Sequence, residues 1–198
     1  MKKSFLILVL IIMIISMFGC SRKGKKFTFD DITKNTILIK SDGEIRAAIV
    51  EKFDKDYYDL SELSEFVKKE VDSYNNKVGE EEVLIDDVVI KGNRAIVILT
   101  YSGMEHYSGF NNVRAASFNA DVESIPLELP EEVLNIKNKK PVSLDSVLEG
   151  KNRVLVLYEP YDIHIEGKIK YYSSNVKLEG KRRAESTTED PIVIIYKP

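Results

Sequence analysis

The densest run of ligand-type side chains is Asp54-Lys55-Asp56-Tyr57-Tyr58-Asp59, with Glu62 and Glu65 beyond it. Carboxylates this close together are the raw material of a calcium loop, and Asp54, Asp56 and Glu65 fall at positions one, three and twelve of EF-hand spacing. The rest of the pattern fails, because Tyr58 takes a ligand position and Asp59 stands where the sharp turn needs glycine. The run therefore reads as an acidic approach to a helix N-terminus, which the helix dipole favours without any ion. No metal ligand and no cofactor are assigned to it.

The two histidines, His106 and His164, fall in different expected elements, and neither has a second histidine at a ligand spacing. Glu105-His106-Tyr107-Ser108 holds residue types used in acid–base and nucleophilic chemistry, but neighbours on a helix point in different directions. His164 sits in an alternating run and is expected on a strand facing solvent. The chain contains no Gly-x-Ser-x-Gly elbow, no P-loop and no Gly-x-Gly-x-x-Gly opening a helix. The acid pairs Asp86-Asp87 and Glu131-Glu132 read as solvated charges, and Lys181-Arg182-Arg183 as a solvated loop. No catalytic residue is nominated. Among ten tyrosines, Tyr57, Tyr58, Tyr158, Tyr161, Tyr171 and Tyr172 are the candidates for a binding surface, since tyrosine joins apolar area to a hydrogen-bonding tip. Tyrosine is also common in strands for packing reasons, and that use is favoured for most of them.

The elements that must position these residues are legible in outline. Thr36 to Lys40 and Ile45 to Phe53 are strand-like runs joined by Ser41-Asp42-Gly43-Glu44, an Asp-Gly hairpin signal. Val83 to Lys91 and Arg94 to Tyr101 repeat the arrangement around Gly92-Asn93. Between the hairpins Leu60, Leu63, Phe66, Val67, Val71 and Tyr74 share one helix face. Asp59 and Glu62 have capping-box spacing at its start, and Asn75 to Gly79 close it. A shorter helix is expected after Ser102, with Ser102 as cap and Met104, Tyr107 and Phe110 on one face. Arg114 to Val122 suggests a strand, and Pro126, Pro130 and Pro141 punctuate irregular or edge structure. One helical turn is expected at Asp145 to Leu148. Further strands are expected at Arg153 to Tyr158, Tyr161 to Ile165, Lys168 to Tyr172, Asn175 to Leu178 and Ile192 to Tyr196. The predicted class is α+β, with antiparallel β-hairpins packed on one main amphipathic helix and followed by a β-rich C-terminal part. Residues 36–125 form the α+β region and 126–198 the β-rich region, packed together as one unit.

The chain opens with Lys2 and Lys3, then runs almost wholly apolar from Phe5 to Phe18 and ends that run at Gly19-Cys20. A basic start, a short apolar stretch and small residues at its end are the layout of an export signal over residues 1–19. The stretch falls short of the roughly 20 apolar residues that a helix needs to cross hydrocarbon. Ser16-Met17-Phe18-Gly19-Cys20 resembles the lipobox of bacterial lipoproteins, which implies that Cys20 is acylated and becomes the first residue after cleavage. The alternative is an uncleaved membrane anchor with Cys20 an unmodified thiol. Residues 20–35 then form the lipidated start and a tether carrying Arg22, Lys23, Lys25 and Lys26, whose charges also suit an anionic membrane surface.

Cys20 is the only cysteine, so no disulfide and no thiolate metal site can form within one chain. Loss of Lys2 and Lys3 from the 29 basic residues leaves 27 against 32 acidic ones, a balance opposed to general nucleic-acid binding. Stretches across most of the remaining chain resemble an uncharacterised family of lipoproteins from clostridia-type bacteria. They include Asp42-Gly43, Tyr57-Tyr58-Asp59, Tyr74-Asn75, Gly167-Lys168-Ile169-Lys170-Tyr171 and Ile195-Tyr196-Lys197. The resemblance implies location and fold continuity, with no activity attached. The expected function is a non-enzymatic module, lipid-anchored on the extracytoplasmic face of the cell membrane, that binds an envelope protein or cell-wall component. The rival is a metal-assisted envelope hydrolase in which the carboxylates of Asp54 to Asp59 converge with His106; a structural spacer is the third reading.

Overall fold

The computed structural model describes residues 28–30, 32–120, 127, 129–148 and 150–198. The expected signal segment, Cys20, the basic part of the tether and Pro126 lie outside the described residues. Strands β1 (Thr36–Ile39) and β2 (Ile45–Lys52) precede helix α1 (Leu60–Val78). Strands β3 (Val83–Lys91) and β4 (Arg94–Tyr101), helix α2 (Met104–Asn111) and β5 (Ala115–Asn119) follow. The remainder is β6 (Glu132–Asn135), β7 (Pro141–Ser143), a 3-10 turn at Asp145–Val147 and β8 (Arg153–Leu157). It continues through β9 (Asp162–Ile165), β10 (Lys168–Tyr172), β11 (Val176–Leu178), β12 (Arg183–Ser186) and β13 (Ile192–Lys197). The class is α+β. No helix among the described residues is long and apolar enough to cross a membrane.

The strands make two sheets, ordered β11-β12-β9-β1-β2-β4-β3 and β5-β8-β13-β10-β6-β7. Every pairing is antiparallel except β1 with β9, where Thr36 sits opposite Asp162 and Ile39 opposite Ile165. Strands from residues 126–198 therefore enter the same sheet as the two N-terminal hairpins. Between the sheets lies one large apolar cluster, with Ile37, Ile39 and Leu99 from the first sheet and Leu155, Ile194 and Tyr196 from the second. A smaller cluster of Val154, Val156, Val193 and Ile195 covers the outer face of the second sheet. These strands are buried on both faces, which is why they read as continuous rather than alternating apolar runs.

Helix α1 forms where periodicity and capping agree. The Asp59 carboxylate accepts from the Ser61 and Glu62 backbone N–H groups, and the helix ends at Gly79. Its buried stripe is narrower than predicted: Val67 and Val71 are buried, Leu63 and Tyr74 pack against the core, and Phe66 is 60 % exposed. Asn75 fixes the turn into β3, donating to the Val83 carbonyl and accepting from the N–H groups of Glu82 and Val83. Helix α2 departs from expectation at its start. Gly103, not Ser102, is its cap residue, because the Ser102 hydroxyl donates to Glu82 instead.

Three strands, β6, β7 and β12, are not legible in the local pattern. The charged look of Lys181-Arg182-Arg183 hid β12, where Ala184 and Ser186 alternate inward. Strand β6 lies inside the proline-punctuated stretch. The outer face of the first sheet is covered by the segment entering β1: Phe29 and Ile32 pack on Leu38, Ala48, Ile96 and Ile98. Lys91 donates to the Asp30 carbonyl and Arg94 to the Thr33 carbonyl, strapping that segment down.

Candidate functional site

The six tyrosines proposed as a surface are scattered by the fold. Tyr57 and Tyr58 are exposed beside Phe53, with the Phe53 and Tyr58 rings stacked at 4.7 Å. Tyr158 and Tyr171 pack against the outer cluster of the second sheet, Tyr158 beneath the Arg114 guanidinium. Tyr161 and Tyr172 are buried in the main core. Of the six, Tyr161 alone borders the concave site described below.

The acidic run is also dispersed. Asp54 pairs with Lys52 at 2.8 Å and Asp59 caps α1. His106 instead meets Tyr74, whose hydroxyl shares a hydrogen bond with Nδ1 at 3.2 Å. Tyr74 is fifteen residues along α1 from Asp59, about 22 Å of helix axis, so His106 does not converge with those carboxylates. Among the described residues no group of three or more acidic, histidine or cysteine side chains is gathered as a metal site. His164 is not a solvent-facing strand residue, because burial takes most of its ring. It lies 3.5 Å from Asp162, which in turn accepts two 2.8 Å bonds from the Arg183 fork. Arg183 thus lies on a strand and pairs with a buried carboxylate rather than standing in a solvated basic loop.

A two-lobed crevice opens where β1 and β9 begin side by side. The inner lobe, about 240 Å³, is lined by Asn35, Glu51, Asn111, Val113, Glu159 and Tyr161, among others. The outer lobe, about 450 Å³, shares Asn35, Pro160 and Tyr161 with it and continues past Lys34, Asp162 and Glu185. Behind the inner lobe Tyr101, Tyr107 and Tyr161 stack edge to face, with centroids 5.3 and 6.4 Å apart. Asn111 ties this group together by donating to the Tyr101 hydroxyl at 3.0 Å and to the Tyr107 carbonyl at 2.8 Å.

Charge is unevenly matched between the lobes. In the outer lobe Glu185 pairs with Lys34, and Asp162 with Arg183. Burial alone would raise the Asp162 pKa, but the Arg183 fork and nearby positive charges together hold it below its ordinary value. In the inner lobe neither Glu51 nor Glu159 has a cationic partner among the described residues. Burial raises the Glu159 pKa, against the pull of the Tyr107 hydroxyl, which donates to it at 3.5 Å. Burial likewise pushes Tyr161 up to about 12 and Tyr101 and Tyr107 higher still, so all three remain neutral donors at physiological pH. A carboxylate held above its ordinary pKa in a concave, tyrosine-backed site marks a candidate binding position. No family model, no curated protein and no solved structure matches this chain.

Sequence reasoning missed Glu159, Glu51, Asn35 and Asn111 entirely. The one local signal was Tyr158-Glu159-Pro160-Tyr161, an acid enclosed by aromatics at a strand end, where proline stops the ladder.

Proposed function

We propose that this chain is a lipoprotein, acylated at Cys20 and held on the extracytoplasmic face of the membrane, whose folded part binds a cationic group of an envelope protein or cell-wall component. The reading is that of a binding module rather than an enzyme. The observation that carries the binding half is the unneutralised pair Glu51 and Glu159, facing a cavity whose other acids are already paired. A primary ammonium or guanidinium entering the inner lobe would supply the missing charge. Asn35 and Asn111 offer amide groups beside it, and Tyr161 offers aromatic area. The anchor half rests on the Gly19-Cys20 junction and the lipobox resemblance.

Two measurements test the two halves separately. Lipid labelling in a bacterial host should mark the wild type and not Cys20→Ala; unlabelled wild type with a protease-protected domain defeats the anchor. Calorimetric titration of the full chain with the peptide Gly-Lys-Gly should show saturable binding that weakens about tenfold or more in Glu159→Gln. Equal binding by wild type and Glu159→Gln defeats the cationic site.

A further inference from the structure

The first sheet ends in a long open strand. Of the four edge strands, β7 and β11 have three residues and β5 has five, whereas β3 has nine. Among the described residues no strand pairs with the outer edge of β3. Leu84, Ile85 and Ile90 on it are 49, 38 and 38 % exposed. Such an edge is a template for another strand, because its outward N–H and C=O groups have no ladder to join. The one irregularity is the bulge between Ile85 and Asp87, which leaves Asp87 to Lys91 regular.

That regular stretch is complementary to itself. Asp87 and Val89 stand opposite Ile98 and Ile96 of the outer apolar cluster, and Lys91, two residues further on, shares their face. Neither Asp87 nor Lys91 has an ion-pair partner among the described residues. About 14 Å of strand keeps them from each other. Lys91 gives one bond to the Asp30 carbonyl, and an ammonium has two more to give. An open groove of about 460 Å³ lies beside Asp87, Val89 and Lys91. The two-residue turn at Gly92-Asn93 makes Lys91 and Arg94 a bonded pair, so by alternation the N–H and C=O groups of Val88 and Ile90 point out from the edge.

We propose that two copies of this chain associate edge to edge through β3, antiparallel and centred on Val89, joining their first sheets into one. In that register Val88 of each copy meets Ile90 of the other, which gives four main-chain hydrogen bonds. Asp87 of each copy falls opposite Lys91 of the other, and the bulge stays at the margin of the pairing. Centring on Asp87 instead would set two carboxylates face to face. The dyad stands perpendicular to the sheet and keeps both outer faces on one side. Phe29 packs on Ile96 and Ile98 of that face, so both N-terminal segments enter the folded part from the same side, as suits two chains at one membrane surface. The pairing is apart from the crevice and depends neither on its ligand nor on acylation.

The test is sedimentation equilibrium of the full chain in density-matched detergent micelles, over a rising ratio of protein to micelle. Wild type should pass from monomer to dimer. Asp87→Lys and Lys91→Asp, each of which opposes two pairs of like charges, should weaken dimerisation about tenfold, and the two substitutions together should restore it. On mild oxidation Val89→Cys, at the dyad, should form a covalent dimer, while Lys177→Cys on the β11 edge should not. Wild type that stays monomeric at every ratio overturns the pairing, and is the result expected if the edge receives a peptide of another protein. A folded Asp87→Lys that dimerises like wild type overturns it too, as does a folded Val89→Cys that does not cross-link. The wild-type equilibrium decides the matter even where a variant fails to fold.

Discussion

Glu159 shows how a single residue can cost stability and still be the most informative side chain in the molecule. Its folded pKa is raised, so the carboxyl favours folding below its ordinary value and opposes it as pH rises through the folded pKa. Glu159→Gln should therefore raise the urea midpoint at pH 7 while weakening the binding of a cationic peptide about tenfold or more. A lowered midpoint would show that the carboxylate is structural. His164 has the opposite sign. Burial lowers its pKa below 6.5 against the attraction of Asp162, so the unfolded chain takes up the proton first and stability falls as pH drops below 6.5. The difference in urea midpoint between wild type and His164→Gln should shift in the mutant's favour from pH 7.5 to 5.5. The Asp162–Arg183 pair persists across that window, because the lowered Asp162 pKa places its loss below 3.8.

At the scale of elements, α1 and the β3–β4 hairpin act as one unit through Val67, Val71 and Asn75. Val71→Ala deletes two buried methyl groups and should cost about 1–2 kcal/mol by urea denaturation. Phe66→Ala, on the exposed flank, should stay within about 0.5 kcal/mol. Asn75→Ala strands the Glu82 and Val83 backbone groups and should cost about 2 kcal/mol, more than its half-exposed position suggests. Equal effects at Phe66 and Val71 would place the helix stripe wrongly.

For the whole molecule the decisive contact is β1 with β9, since it inserts the C-terminal chain between the first hairpin and β12. Residues 36–125 alone lack β9, β11, β12 and the entire facing sheet except β5. A fragment ending at 125 should show no near-ultraviolet circular dichroism of packed tyrosines, and the whole chain should unfold in one transition by calorimetry. A folded fragment would mean that the hairpins and α1 carry a sufficient core by themselves. Gly167 is a second long-range constraint, because a Cβ there would come within 2.4 Å of the Lys197 carbonyl across the β10–β13 pair.

The sequence by itself determined what depends on near neighbours: both N-terminal hairpins, the length and caps of α1, and most strands of the C-terminal half. Turn chemistry, capping and period are written within a few residues, so they survive without tertiary information. Only the tertiary structure decided which tyrosines are buried, that Arg183 neutralises Asp162, and that Ser102 gives up its cap to Glu82. It alone set Asn35 and Glu51 beside Glu159, and Tyr196 beside Arg153. These groupings join side chains 40 to more than 100 positions apart. Strand register and the one parallel crossing set them, and no local pattern records either.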